Sequence, residues 1–181
     1  MANMEVIDTE IDGVYIIKNS VFSDDRGSFT KIFHEDIFEH LGLNTEIRES
    51  YYSISKKGVI RGMHFQLPPY DHDKLVHVAK GKINDVILDL RKDSKTFLKY
   101  ISIELSDKNR YSVYIPKGCA HGFNTLEEDS IVIYNVSTVY NKDADWGVRW
   151  DSFGMNWNNT NPVISQRDSG FETVEEYIKK I

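Results

Sequence analysis

Apolar and polar residues alternate in short runs along most of the chain, and a period of two predicts strands. In INDVILDL (83–90), Val86, Leu88 and Leu90 share one face, while Asp85, Ile87 and Asp89 share the other. In YISIEL (100–105), Ile101, Ile103 and Leu105 oppose Ser102 and Glu104. Strand-like runs also occur at 14–18, 29–33, 76–79, 111–116 and 130–140. Turn signals separate them: SDDRGS at 23–28, Lys80-Gly81-Lys82, RKDSK at 91–95 and SDKNR at 106–110. Short strands at this spacing predict a sandwich, jelly roll or barrel.

Two segments switch to a helical period. Ile37, Phe38 and Leu41 share a face, and Gly42 can end that turn. Near the C-terminus, Thr173-Val174-Glu175-Glu176 has the spacing of a capping box. Val174, Tyr177, Ile178 and Ile181 then form an i, i+3, i+4, i+7 stripe that predicts docking on the strands. A partner-binding helix is the alternative reading.

Composition narrows the class. The 181 residues carry 22 Lys and Arg against 28 Asp and Glu, a net charge of −6. A nucleic-acid protein that binds through a broad basic surface is not expected. A local basic pocket for an anionic ligand remains open. The 9 Phe, 3 Trp and 10 Tyr can build a core and flat stacking surfaces. The four prolines are scattered, and no linker or repeat divides the sequence, so one domain over 1–181 is expected. No apolar run has signal-peptide or transmembrane length, which predicts a soluble cytoplasmic protein with no membrane partner. The single cysteine, Cys119, reads as a small buried residue.

Two histidines stand in unusual settings. His64 lies in the strand-like Val59-Ile60-Arg61-Gly62-Met63-His64-Phe65-Gln66, and His121 follows Ile115-Pro116-Lys117-Gly118-Cys119-Ala120. The second segment resembles the second motif of the cupin superfamily. Many cupins hold a metal through His-x-His and a downstream Glu, but here the first motif reads His64-Phe65-Gln66 and no acid follows at short spacing. No metal site is expected. An imidazole oriented by a carboxylate is a good general base. Arg26, Arg61 and Lys74 could meet a phosphate group.

Further runs extend the pattern: Asp24-Asp25-Arg26-Gly27-x-Phe29, Lys74-Leu75-Val76, Gly81-x-x-x-Asp85-Val86, Asp89-Leu90-Arg91 and Ser94-x-Thr96-Phe97. Gly147-Val148-Arg149-Trp150 and Ile164-Ser165-x-x-Asp168 complete it. In this order, the set resembles the dTDP-4-dehydrorhamnose 3,5-epimerase family, metal-free sugar-nucleotide cupins. The resemblance implies an all-β, cupin-type jelly-roll barrel with a short helix after the first strands and a C-terminal helix. It implies an isomerase that inverts C3, C5 or both in a nucleotide-linked 4-keto-6-deoxy sugar, without a cofactor. His64 is then the base and Asp168 its orienter, with Lys74 stabilising an enolate and Tyr134 returning the proton. His121 matches a second active-site histidine. Arg26 and Arg61 match diphosphate contacts, Phe29 shares the first of these motifs, and Tyr140 matches an aromatic residue near the base. A homodimer is also implied, with N-terminal strands reaching the partner. Core packing is the alternative for Tyr134, and a surface strand position for Tyr140.

The chain departs from the family where recognition is expected. Lys31 stands where thymidine-specific members have Glu, and Glu49-x-Tyr51 where they have Gln-x-Asn. The expected chemistry is therefore unchanged while the nucleotide sugar differs, with a GDP-linked hexose or heptose as an alternative to a dTDP-linked one. A metal-dependent cupin oxygenase or isomerase and a non-catalytic binder are the competing readings.

Overall fold

The computed structural model describes residues 4–181. The order along the chain is β1 (Glu5–Asp8), β2 (Tyr15–Lys18), β3 (Ser20–Asp24), β4 (Gly27–Lys31), α1 (Glu35–His40), β5 (Glu49–Ser55), β6 (Ile60–Gln66), β7 (Lys74–Lys80) and β8 (Lys82–Asp89). There follow β9 (Tyr100–Ser106), β10 (Tyr111–Ile115), β11 (Cys119–Thr125), β12 (Ser130–Val136), β13 (Asp145–Gly147), α2 (Gln166–Ser169) and α3 (Val174–Ile178).

The strands form two large sheets and a separate hairpin. The first sheet runs β1-β2-β10-β7-β12-β5, the second β13-β6-β11-β8-β9, and among the described residues β3-β4 pair only with each other. Named neighbours are antiparallel throughout. The expected closed barrel is therefore corrected. Among the described residues, no strand pairing joins the two large sheets, and each keeps two edge strands. Alternation along a strand could not separate these outcomes, because an open sandwich and a barrel both bury every second side chain.

Val76, Val78, Val113, Ile115 and Val132 of the first sheet meet Ile83, Ile87, Leu105 and Phe123 of the second in the central core. The chain passes from one sheet to the other at Gly81, whose φ of +81° suits a residue without a Cβ. On the outer face of the second sheet, Val86, Leu88 and Leu90 pack with Met63, Phe65, Trp157 and Val174. Tyr177 and Ile178 extend this cluster, so the predicted helical stripe docks on the sheet, although Ile181 is largely exposed. The capping box at Thr173 and Glu176 forms in both directions. The other flank is covered by α1, with Phe38 packed on Leu75 and Tyr114. Each such buried side chain contributes about 1.5–3 kcal/mol. No helix among the described residues is long and apolar enough to cross a membrane.

Candidate active site

The site begins with a close backbone contact between β6 and β11. A Cβ on Gly62 would come within 2.5 Å of Gly122 Cα, so only glycine fits there. The strand register breaks opposite this point, between His121 and Phe123. Strict alternation puts Arg61 and His64 on opposite faces. The irregularity turns both toward one cavity of about 210 Å³, shared with Tyr51, Ser53, Lys74, His121 and Tyr134. Meanwhile Ile60, Met63 and Phe65 all face the outer cluster.

His64 Nε2 lies 2.8 Å from Asp168 Oδ1. The other carboxylate oxygen accepts from the Gly62 N–H at 3.1 Å. Burial raises the Asp168 pKa, but the hydrogen bonds and charge interaction with His64 outweigh it and hold the pKa below the ordinary value. An ionised carboxylate only accepts, so the imidazole proton sits on Nε2 and Nδ1 carries the free lone pair. Asp168 is placed by α2, whose N-cap Ser165 accepts from the Asp168 N–H. Phe171 packs its edge on His64 with ring centres 5.8 Å apart.

Lys74 is buried and donates to the His64 carbonyl at 3.0 Å. Burial pushes its pKa down to about 8, with Asp85 resisting. His121 is paired across the strands with His64, yet its own Nε2 is held by buried Asp85 at 2.7 Å. Burial lowers the His121 pKa despite that carboxylate. Tyr134 stacks on Tyr51 with centres 4.9 Å apart and meets His121 edge-on at 6.0 Å. Its hydroxyl lies 3.5 Å from Ser53 Oγ. Burial raises the Tyr134 pKa above its ordinary value, and the phenol remains a proton donor near neutrality. Among the described residues, no group of three or more His, Cys, Asp and Glu side chains is arranged to hold a metal.

A second cavity of about 310 Å³ adjoins the first through Tyr51, His64 and Lys74. Glu49, Gln66, His72, Tyr140, Asp145 and Arg167 line it. Glu49 Oε2 accepts from the Tyr140 N–H at 2.6 Å, joining two of the expected recognition residues. Burial, with Glu49 and Asp145 nearby, pushes the Tyr51 phenol up to about 12.

Arg26, Phe29 and Lys31 are not brought to either cavity. They lie on the β3–β4 hairpin, where Arg26 pairs with Asp24 and Phe29 is 62% exposed. The predicted cluster of Arg26, Arg61 and Lys74 therefore reduces to Arg61 and Lys74 within one chain. Cys119 is buried as expected, and burial pushes its thiol up to about 12.

The arrangement can be set beside known proteins. The family model for dTDP-4-dehydrorhamnose 3,5-epimerase matches residues 8–176. The chain belongs to the dTDP-4-dehydrorhamnose 3,5-epimerase family. It is an isomerase of that nucleotide-sugar epimerase class. The Shigella flexneri dTDP-4-dehydrorhamnose 3,5-epimerase is 39% identical over 168 residues, covering 91% of this chain and 93% of its own. The structure is similar to the Bacillus anthracis dTDP-4-dehydrorhamnose 3,5-epimerase with TDP and PPi bound, with a TM-score of 0.92, 38% identity and coverage of 95% of this chain and 100% of that one. It is also similar to a 4-keto-6-deoxy sugar epimerase from Streptomyces spheroides, with a TM-score of 0.94, 29% identity and coverage of 98% and 91%.

Several residues at this epimerase-family site are not among those singled out from the sequence. Asp85 stands in a quoted run, and it is buried beside His121. His72 belongs to no motif. Arg167 pairs with Asp145 at 2.7 Å and lies 5.1 Å over the Phe171 ring. These last three come together only through folding of the C-terminal segment.

Proposed function

We propose that this protein inverts C3, C5 or both of a nucleotide-linked 4-keto-6-deoxy sugar, a step in making surface-polysaccharide sugars. The observation that carries the reading is one cavity holding His64, with Asp168 behind it, together with Lys74 and Tyr134. The C4 ketone acidifies the C–H bonds at C3 and C5. His64 Nδ1 removes one of these protons, and Asp168 stabilises the imidazolium. Negative charge develops on O4 and is met by the Lys74 ammonium in a largely buried site. Tyr134 returns a proton to the opposite face of the carbon. Arg61 takes the diphosphate, and Tyr51 and Tyr140 offer aromatic faces to sugar and base. His121, held by Asp85, supplies a further ring beside the sugar.

The site is completed by a second copy of the chain. Among the described residues, the hairpin carrying Arg26, Phe29 and Lys31 is not hydrogen-bonded into either large sheet, and it exposes Phe22 as well as Phe29. In a homodimer it reaches the partner's cavity. A second reading concerns the base. Glu49 is an acceptor beside Tyr140. The guanine edge offers an N1–H and an exocyclic amine, whereas thymine offers one N–H between two carbonyls. This favours a GDP-linked sugar over a dTDP-linked one. Incubation with a panel of dTDP- and GDP-linked 4-keto-6-deoxy hexoses and heptoses in D2O tests both points. Incorporation at C3 and C5 reports each centre. Exchange with none of them overturns the epimerase reading, and tighter binding of dTDP-sugars than of every GDP-sugar overturns the base assignment.

A further inference from the structure

His72 lines the larger cavity beside Lys74 and Gln66, outside the proton-transfer set. Protein side chains engage its Nδ1 and leave its Nε2 free of protein hydrogen bonds among the described residues. The Asn141 N–H is an obligate donor to Gln66 Oε1 at 2.7 Å, so the Gln66 amide nitrogen points the other way, 2.7 Å from the Tyr70 carbonyl. The Thr138 hydroxyl lies 2.8 Å from the same Tyr70 carbonyl. His72 Nδ1 lies 3.2 Å from that Thr138 oxygen. The Gln66 amide nitrogen is 3.3 Å from the same Nδ1. Nε2 has no protein hydrogen-bond partner among the described residues.

We propose that His72 is a substrate-recognition residue whose Nε2 hydrogen-bonds a hydroxyl of the bound sugar. The inference rests on the epimerase reading above. Burial, reinforced by the Lys74 charge and opposed by Asp73, lowers the His72 pKa to about 3, which keeps the ring neutral. A hydroxyl both donates and accepts, so it suits a neutral ring nitrogen in either tautomer. The Gln66–Thr138–Tyr70 frame holds the ring in place before substrate arrives.

The two amide substitutions separate this role from bracing of the loop. His72→Asn keeps a polar group at the Nδ1 position and loses Nε2, while His72→Gln does the reverse. Steady-state kinetics use whichever of dTDP-4-keto-6-deoxyglucose or its GDP-linked counterpart the wild type turns over. The expected result for His72→Asn is a KM raised about tenfold with kcat within about threefold. Its affinity for the nucleoside diphosphate alone is unchanged, and His72→Gln recovers most of the lost KM. A wild-type KM in His72→Asn, or a greater loss in His72→Gln than in His72→Asn, overturns the proposal. Wild-type inactivity on every sugar of the panel overturns the epimerase reading instead, and this inference with it.

Discussion

Replacing Asp168 by Asn probes how the proposed base is held. The substitution is nearly isosteric, but the hydrogen-bond pattern around it is fixed. The Gly62 N–H can only donate, and it points at one side-chain oxygen of residue 168. The Asn carbonyl must turn to that donor, which leaves its NH2 facing His64 Nε2, now 2.8 Å from a carboxylate oxygen. Nε2 then becomes the acceptor, the ring proton moves to Nδ1, and the cavity-facing nitrogen has no lone pair to act as a base. Two losses combine. The charge-assisted bond is worth about 1.5–3 kcal/mol, or roughly 10- to 150-fold. General-base catalysis is worth about 10²–10⁴-fold. The two overlap because they act through one ring, so the expected fall in kcat is about 10³-fold, with KM within about threefold. Deuterium wash-in at C3 and C5, followed by NMR, reads proton abstraction directly. A variant that is folded by circular dichroism and exchanges within about tenfold of wild type would refute this account of the pair.

Other predictions address the remaining groups. With a Lys74 pKa of about 8, activity that needs its ammonium declines as pH rises through about 8. The folded pKa lies below the usual 10.5, so the native state binds fewer protons than the unfolded chain between these values. Stability from this group therefore rises with pH across that window. Lys74→Met should be inactive and should lose that rise in urea-melt stability, relative to wild type. Tyr134→Phe should keep exchange within about tenfold and reduce formation of the inverted product about 100-fold or more; equal loss of both counts against Tyr134 as the returning acid. Mixed Arg26→Ala and His64→Asn subunits should regain activity if the hairpin completes the partner's site, because one hybrid cavity then holds both native residues. Mixtures no better than the parent variants argue for a self-contained chain.

Much of the fold could be read from side-chain period. The two faces of β8 separate as alternation predicts: Val86 and Leu88 enter the outer cluster, while Ile83 and Ile87 enter the central core. The Thr173 capping box is a local pattern and forms locally. Sheet closure is a property of which strands pair, and a period of two carries no record of it. The four residues of α2 are too few to show a helical period, although they place Asp168 and Arg167. The break at Gly62 inverts the expected faces of β6, so alternation alone could not unite Arg61 with His64. Asp85 shares a strand face with Ile87 and Asp89, and only the facing strand shows that it is buried against His121. The hairpin shows the opposite limit. Arg26 and Phe29 lie in a motif contiguous in sequence order with the catalytic runs, yet they fold away from the cavity.

The central claim is that His64 removes a proton from carbon beside the sugar ketone. Solvent deuterium wash-in on the best substrate of the panel, compared between wild type and His64→Asn, tests it most directly. The account predicts incorporation at C3, C5 or both with wild type and none above background with the folded variant. Exchange by His64→Asn at the wild-type rate would contradict it.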